Sequence, residues 1–294
     1  MSLLNRLWLI ALRTINRRRF GLRVHFHYSE HGSLAFLESG RECAGPTLVF
    51  LHGLGASKDQ WGPEILAMGR RYHCLFVDLP GHGQSTCKPP GGFGPKAAIP
   101  TLDSFLRQHG QQNLVLIGSS LGGCLAGVYT ATFPQRVKQL VALAPAGLGE
   151  EAFGPAIRSG IASGMPIFGY RTVQEMLSFW EFVFEHPPRV GKRLSQALAE
   201  SGRERFVSVQ RVLEDFTREG LRQLTVCLPA ICAPTLVVWG RCDRIFSVDA
   251  LDRVVRCVPS AQGIAIDDAG HACYLDRGRK VVEVIEQFLL IPDE

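Results

Sequence analysis

Short apolar runs recur along the chain, separated by stretches whose apolar residues repeat at helical spacing. The runs at 22 to 28, 33 to 38, 47 to 51, 73 to 78, 113 to 118, 137 to 143, 234 to 239 and 262 to 266 predict eight strands. Residues 59 to 69, 98 to 109, 120 to 132, 248 to 257 and 279 to 289 predict helices between and after them. Parallel strands need crossover helices, and strands covered on both faces read as unbroken apolar runs. The alternation therefore predicts an α/β fold with a mostly parallel eight-stranded sheet and helices on both faces. The first two strands are close enough to form an antiparallel hairpin.

One connection breaks the rhythm. About ninety residues separate the sixth strand from the seventh, where a few usually suffice. This predicts an inserted helical cap over 146 to 232, between core segments 20 to 145 and 233 to 294. Gly164, Pro166, Gly169, Pro187, Pro188 and Gly191 should cut the cap into short helices. Its segment 176 to 184, MLSFWEFVF, offers Phe179, Trp180 and Phe182 as candidate substrate-binding residues; Phe184 belongs to the same cluster. Part of the cluster should pack cap on core, and the rest should line an acyl-binding tunnel or face a membrane.

Ahead of the sheet, residues 3 to 16 form an amphipathic pattern within an N-terminal arm, 1 to 19. Arg6, Arg13 and Arg17 fall in a ~40° stripe at ~100° per residue, and leucines, isoleucines and Trp8 fill the rest. A helix of this length is ~21 Å long, short of a ~30 Å hydrocarbon core. The expected role is interfacial, with the apolar face in the lipid boundary and the arginines at headgroup phosphates. Packing on the protein's own surface fits the same periodicity. Charge adds to this picture. The net +5 is accounted for by residues 1 to 41, which hold seven arginines and two acidic residues. The remainder is balanced and offers no basic face for nucleic acid.

The chemistry centres on Gly118-Ser119-Ser120-Leu121-Gly122, placed after the apolar run NLVLIG and before a helical run. A sharp strand-to-helix turn forces its central residue into strained backbone, and glycines two positions either side leave room for the crossing. Only Ser120 has both glycines. A serine hydroxyl needs a base, and the base needs an orienting acid. His271 and Asp243 follow strands eight and seven at their C-terminal ends, the edge where such sheets keep their chemistry. Asp243 could also cap the helix starting near Ser247, and Asp249, Asp267 and Asp268 are competing acids. His52-Gly53-Leu54-Gly55 follows the third strand, so the amides of Leu54 and Leu121 are the expected oxyanion donors. His52 is read as a buttress of that loop. His25 and His27 share a strand face but find no third ligand of suitable spacing, so no metal is expected. No dinucleotide or phosphate-loop motif is present, and no cofactor is expected.

HGLG, DLPGHGQS (78 to 85), GSSLGG, WGRCD and AGH, in this order, resemble the α/β-hydrolase superfamily over residues 22 to 291. The stretch 127 to 148, the cap entry at Met176 and the apolar arm are similar to its membrane-bound monoacylglycerol lipase branch. The resemblance implies a serine carboxylic ester hydrolase acting on a lipophilic ester through an acyl-enzyme, at an anionic membrane surface met by residues 3 to 19. The arm departs from that branch, being short and arginine-rich for a spanning anchor. Two alternatives stand beside it. Carbon–carbon bond hydrolases of ring-fission products share the fold, but resemble G-N-S-M-G at the elbow and carry Trp after the histidine, where this chain has Ser119 and Ala272. A non-catalytic ligand-binding relative would have lost an element of the site. Nine scattered cysteines without a C-x-x-C pair suggest reduced thiols, hence a reducing, cytoplasmic-side compartment with peripheral membrane association.

Overall fold

Side chains alternate between the two faces of a strand, so a run apolar at every position is stable only where both faces are covered. The computed structural model, which describes residues 1–41, 43, 45–110, 113–163 and 167–290, has this arrangement. Its strands are β1 (Arg23–Ser29), β2 (Gly32–Ser39), β3 (Thr47–Leu51), β4 (His73–Val77), β5 (Leu114–Ser119), β6 (Val137–Leu143), β7 (Thr235–Gly240) and β8 (Ala261–Ile266). They form one sheet in the order β1-β2-β4-β3-β5-β6-β7-β8. β1 with β2 and β2 with β4 pair antiparallel, and the other pairs are parallel. The predicted runs coincide with these strands to within one residue at each end.

The helices are α1 (Leu3–Arg19), α2 (Pro63–Ala67), α3 (Pro95–His109), α4 (Leu121–Thr132), α5 (Pro155–Ser163), α6 (Val173–Val183), α7 (Lys192–Glu219), α8 (Gln223–Cys227), α9 (Ala250–Cys257), α10 (Cys273–Asp276) and α11 (Gly278–Leu289). Val49, Leu51, Val77, Leu116 and Trp239 join one core with residues of α3, α4 and α9. Leu48, Phe50, Phe76, Ile117 and Val238 join a second core with Phe20 and residues of α2 and α11. The alternation thus divides each central strand between two apolar layers. At the sheet's edge, β8 keeps only Ile266 buried.

Helix boundaries follow the prolines. The helix expected over 59 to 69 contracts to α2 and a 3₁₀ turn, because Pro63 sits at the first helical position after Gly62. α3 likewise begins earlier than expected, at Pro95. Residues 146 to 232 depart from the expected run of short helices. α5, α6 and α8 are short, but α7 runs 28 residues, since Gly202 is the sole glycine or proline in Lys192–Glu219. Gly164 and Pro166 lie outside the described residues.

α1 extends through Arg19, three residues past the expected end, with Arg17, Arg18 and Arg19 in the last turn where cations suit the helix dipole. It docks on α7: the Met1 ammonium meets Glu204 at 2.7 Å, the Ser2 amide donates to Glu200, and Leu9 is buried. The arginine stripe turns toward the protein, as the packing alternative expects. Arg17 makes a bidentate pair with Asp59, at 2.7 Å to each oxygen, and Arg6 and Arg13 line a cavity behind the helix. Burial holds the Arg13 guanidinium below its ordinary pKa. Leu3, Leu4, Leu7 and Ile15 are each more than half exposed and point away from that cavity, while Ile10, also half exposed, lines it. Among the described residues, no helix is long and apolar enough to cross a membrane.

Candidate active site

β5 ends at Ser119 and α4 starts at Leu121, so the chain reverses at Ser120, which takes φ 53° and ψ −114°. That left-handed backbone is strained for a residue with a side chain and is held by its surroundings. The Ser120 amide donates to the Leu143 carbonyl at 2.9 Å, and its carbonyl accepts from Cys124 and Ala146, each at 3.0 Å. The flanking glycines are sterically required. A Cβ on Gly118 would strike the carbonyl of Gly122, and one on Gly122 would strike the carbonyl of Leu51.

Asp243 and His271 arrive from neighbouring strand ends. The loops after β7 and β8 are laced together, Arg241 donating to the Ile266 carbonyl and Cys242 to that of Ala269. His271 Nδ1 lies 2.8 Å from Asp243 Oδ2. The other carboxylate oxygen, Oδ1, accepts from the amides of Ile245 at 2.8 Å and Phe246 at 3.0 Å. A carboxylate only accepts, so Nδ1 carries the hydrogen and, in the neutral ring, Nε2 is the acceptor. The capping alternative is met in part, since Asp243 turns the loop before α9, whose N-cap is Asp249. The competing acids are engaged elsewhere: Asp249 with Ser247, Asp267 with Arg241, and Asp268 with His186 and Arg277.

The loop after β3 closes the third side. A Cβ on Gly53 would sit 3.3 Å from the Ser120 Cβ, so backbone and serine are in close contact. Leu121 is the first residue of α4, where an amide has no helical partner, and no hydrogen bond of the described residues takes up its N–H or that of Leu54. Two buried histidines prop this loop. His52 donates from Nδ1 to the Gly53 carbonyl and accepts from the Leu79 amide at Nε2. His82 donates from Nδ1 to Pro80 and accepts from the Gly55 amide at Nε2. Accepting from an amide requires a neutral ring. Burial pushes His52 down to about 4, and burial with the neighbouring His52 pushes His82 down to about 3.

A stability consequence follows from the sign of these shifts. Both rings stay neutral in the fold, whereas the unfolded chain takes up their protons near pH ~6.5. Their contribution is complete above that pH and is lost as pH falls toward the folded values. At pH 5 the loss is about 2 kcal/mol per ring, from ~1.4 kcal/mol for each pH unit below 6.5. Urea unfolding at pH 7 and pH 5 should register a drop of several kcal/mol, roughly halved in His82→Gln. Equal stability at both pH values would refute the neutral pair.

The sequence reading missed the polar brace under this loop. Lys58 and Asp78 are fully buried; Lys58 Nζ donates to Asp78 Oδ2 at 2.7 Å and to Gln84 Oε1 at 2.8 Å. Asp78 also accepts from the amides of Lys58 and Gln84. An acid at the C-terminal end of the apolar run HCLFV was the available signal. Asp276 was missed as well; it accepts from the amides of Gly270, Glu185 and His186, fastening the exit of α6 to the His271 loop.

Two cavities meet at Ser120, Leu54 and Phe168. The larger, about 310 Å³, is walled by apolar residues of α5, α7 and the loop after β6, including Ile157, Leu213 and Phe216. The smaller, about 220 Å³, holds His271, Gln60 and Tyr170, with Phe179 and Trp180 from α6. Phe182 lies elsewhere, packed against the first core. His25 pairs with Glu38, and His27 contacts Ser104 and His109. Among the described residues no group of three His, Cys, Asp or Glu is arranged to hold a metal.

Known proteins share this architecture. Human monoacylglycerol lipase ABHD6 is 25% identical over 285 residues, 93% of this chain and 84% of that protein. Lipase 1 of Psychrobacter immobilis is 25% identical over 239 residues, 81% of this chain and 74% of that lipase. Among solved structures, a membrane phospholipase A described as a bacterial virulence factor superposes with a TM-score of 0.90 at 26% identity, covering 97% of this chain and 91% of its own. Residues 46–278 match the family model described as the alpha/beta hydrolase fold. With most of its length inside that match and the sheet order and elbow built as above, the chain belongs to the α/β-hydrolase fold family.

Proposed function

We propose that the protein hydrolyses lipophilic carboxylic esters, monoacylglycerols among them, through an acyl-enzyme on Ser120. The observation that carries this reading is Ser120 on its strained turn at the junction of an apolar cavity and a second cavity holding His271, itself bonded to Asp243. The named activities of the relatives agree with it. Ser120 attacks the acyl carbon while His271 Nε2 takes its proton, and the Asp243 carboxylate steadies the imidazolium. The amides of Leu54 and Leu121 hold the oxyanion; side-chain changes there that keep the backbone are mild by comparison. His271 then protonates the leaving alcohol, and water attacks the acyl-enzyme by the same route. Residues 146 to 232 act as the cap.

The cavities assign the two ends of the substrate. His271 lines only the smaller one, and the leaving oxygen must lie beside the acid that protonates it. The alcohol therefore departs past Phe179 and Trp180, and the acyl chain lies in the larger cavity against α5 and α7. Rates on aryl esters of rising chain length test both function and orientation. Leu213→Trp, at a half-buried wall of the larger cavity, should cut long-chain rates roughly tenfold to a hundredfold and leave acetyl or butyryl esters within a few fold. An equal loss at every chain length would reverse the assignment, and no ester turnover by the wild type would end the functional reading.

The substrate is met at a membrane surface. The exposed row of Leu3, Leu4, Leu7 and Ile15 faces away from the protein, and exposed Arg18, Arg19 and Arg70 cluster at its C-terminal end, where anionic headgroups would sit. Replacing Leu4, Leu7 and Ile15 together by Gln should weaken flotation with phosphatidylglycerol vesicles at least about tenfold, given ~1.5 kcal/mol or more per buried aliphatic side chain. Turnover of a soluble short ester should be unchanged. Undiminished flotation would place the membrane contact elsewhere.

A further inference from the structure

Behind α1 lies a cavity of about 300 Å³ separate from both substrate cavities. Four segments wall it: the inward face of α1, residues 57 to 59 beyond the Leu54 loop, Gly83 and Gln84 after β4, and Ser201, Glu204 and Arg205 of α7. The charges around it do not cancel. Met1 is matched by Glu204, Arg17 by Asp59, and Lys58 by Asp78. Arg6, Arg13 and Arg205 also line it, and among the described residues no carboxylate pairs with any of them. Arg205 spends Nε on the Ser201 carbonyl at 3.1 Å and also hydrogen-bonds the Tyr170 hydroxyl, but neither partner carries a neutralising charge. A second, independent feature points the same way. Ser57 is 3% exposed and lines the cavity, yet its hydroxyl has no hydrogen-bond partner.

Guanidiniums without a carboxylate partner around one partly buried space are costly: Arg13 loses hydration and is repelled by Arg205, while Arg6 stands at the exposed side of the same space. An unpartnered hydroxyl adds to the cost. A tetrahedral oxyanion removes both penalties: guanidinium forks donate to its oxygens in pairs, and a serine hydroxyl can donate to another. A space of this size, roughly ten waters at ~30 Å³ each, accommodates a phosphate group and part of whatever it esterifies.

We propose that this cavity is an anion site taking a phosphate group, held by Arg6, Arg13 and Arg205 with the Ser57 hydroxyl. Its position gives it a role. An occupant bridges α1, the segment following the Leu54 loop, and α7, and α7 also places Val209 against Gly55 and Leu213 and Phe216 in the larger substrate cavity. Binding there fastens arm and cap to the core and so stabilises the closed arrangement of the active site. The inference stands on the cavity and its charges, independently of the reaction proposed for Ser120.

Thermal unfolding of the full chain tests it. Inorganic phosphate, against chloride at matched ionic strength and pH 7, should raise the midpoint in a saturable way. Arg13→Gln and Arg205→Gln should each need about tenfold more phosphate for the same rise, the usual loss of one charge-assisted contact. Ser57→Ala should need several-fold more, and Arg13→Lys should recover part of the response. These two conservative variants keep the test decisive if a Gln variant fails to fold. Glycerol 1-phosphate and phosphatidylglycerol vesicles, compared with phosphatidylcholine vesicles, distinguish the sources. A response at lower phosphate concentration than the inorganic ion assigns a lipid headgroup, and a preference for the inorganic ion assigns free phosphate. No saturable rise in the wild type, or the same rise in every variant, overturns the proposal.

Discussion

Ser120→Ala should lower ester turnover by about 10⁴-fold or more and abolish labelling by a fluorophosphonate, while the folded protein keeps its thermal midpoint. The fold is indifferent to the hydroxyl because the turn is built from the backbone. Leu143, Cys124 and Ala146 bond the amide and carbonyl of residue 120, and these contacts survive in alanine. The strained φ of 53° also persists, since alanine carries a Cβ as serine does. The neighbouring hydroxyl makes the control. Ser119 is the last residue of β5, 3% exposed, and hydrogen-bonds with the Tyr274 side chain. Ser119→Ala should therefore stay within roughly tenfold of wild type, the loss of a supporting contact. Full activity in Ser120→Ala, or labelling that persists there and vanishes in Ser119→Ala, would assign the nucleophile to the wrong hydroxyl.

The elbow was legible in the sequence because both of its flanking positions exclude any side chain. Glycine at 118 is imposed by the Gly122 carbonyl within the turn, and glycine at 122 by the Leu51 carbonyl of β3, the strand paired beside β5, so one five-residue pattern records both demands. The central strands were legible for a similar reason: two covered faces leave unbroken apolar runs such as TLVFL and TLVVWG. What escaped depended on partners far along the chain. Periodicity finds the amphipathic faces of α1, but which face meets protein is decided by Asp59 and the glutamates of α7. The arginine stripe turned inward for that reason. Likewise, MLSFWEFVF has no internal signal separating Phe179 and Trp180, which line the cavity, from Phe182, which packs on the core. The neutral His52 and His82 rings depend on amides donated by Leu79 and Gly55.

These non-local contacts share a direction. Lys58 with Asp78, the paired histidines and Asp276 all tie backbone segments that border Ser120. A donor to an oxyanion works by being fixed before the charge appears, so a loop rich in glycine needs such bracing. Gly53 lets the backbone approach Ser120 and Gly55 supplies a φ of 73° two residues on, and the buried polar groups remove the freedom that glycine would otherwise leave.

Asp243→Asn is the second substitution with a large expected effect, a fall of about 10⁴-fold in turnover with the fold retained. Asp243 has two jobs, one on each oxygen. Oδ1 accepts from Ile245 and Phe246, while Oδ2 accepts from His271 Nδ1. Asparagine can keep the first job with its carbonyl, which leaves its NH₂ group facing the imidazole. Nδ1 must then act as acceptor, so the ring proton moves to Nε2, the nitrogen needed to receive the proton of Ser120. Asp243→Ala separates the jobs, because it strands the two amides as well and should destabilise by about 1–3 kcal/mol for each donor left buried. If turnover in Asp243→Asn stayed near wild type while Asp243→Ala was merely less stable, the carboxylate would be a turn cap and the orienting acid would have to be sought elsewhere. Asp267 and Asp268 are poor substitutes, being at least half exposed and already paired with Arg241 and with His186 and Arg277.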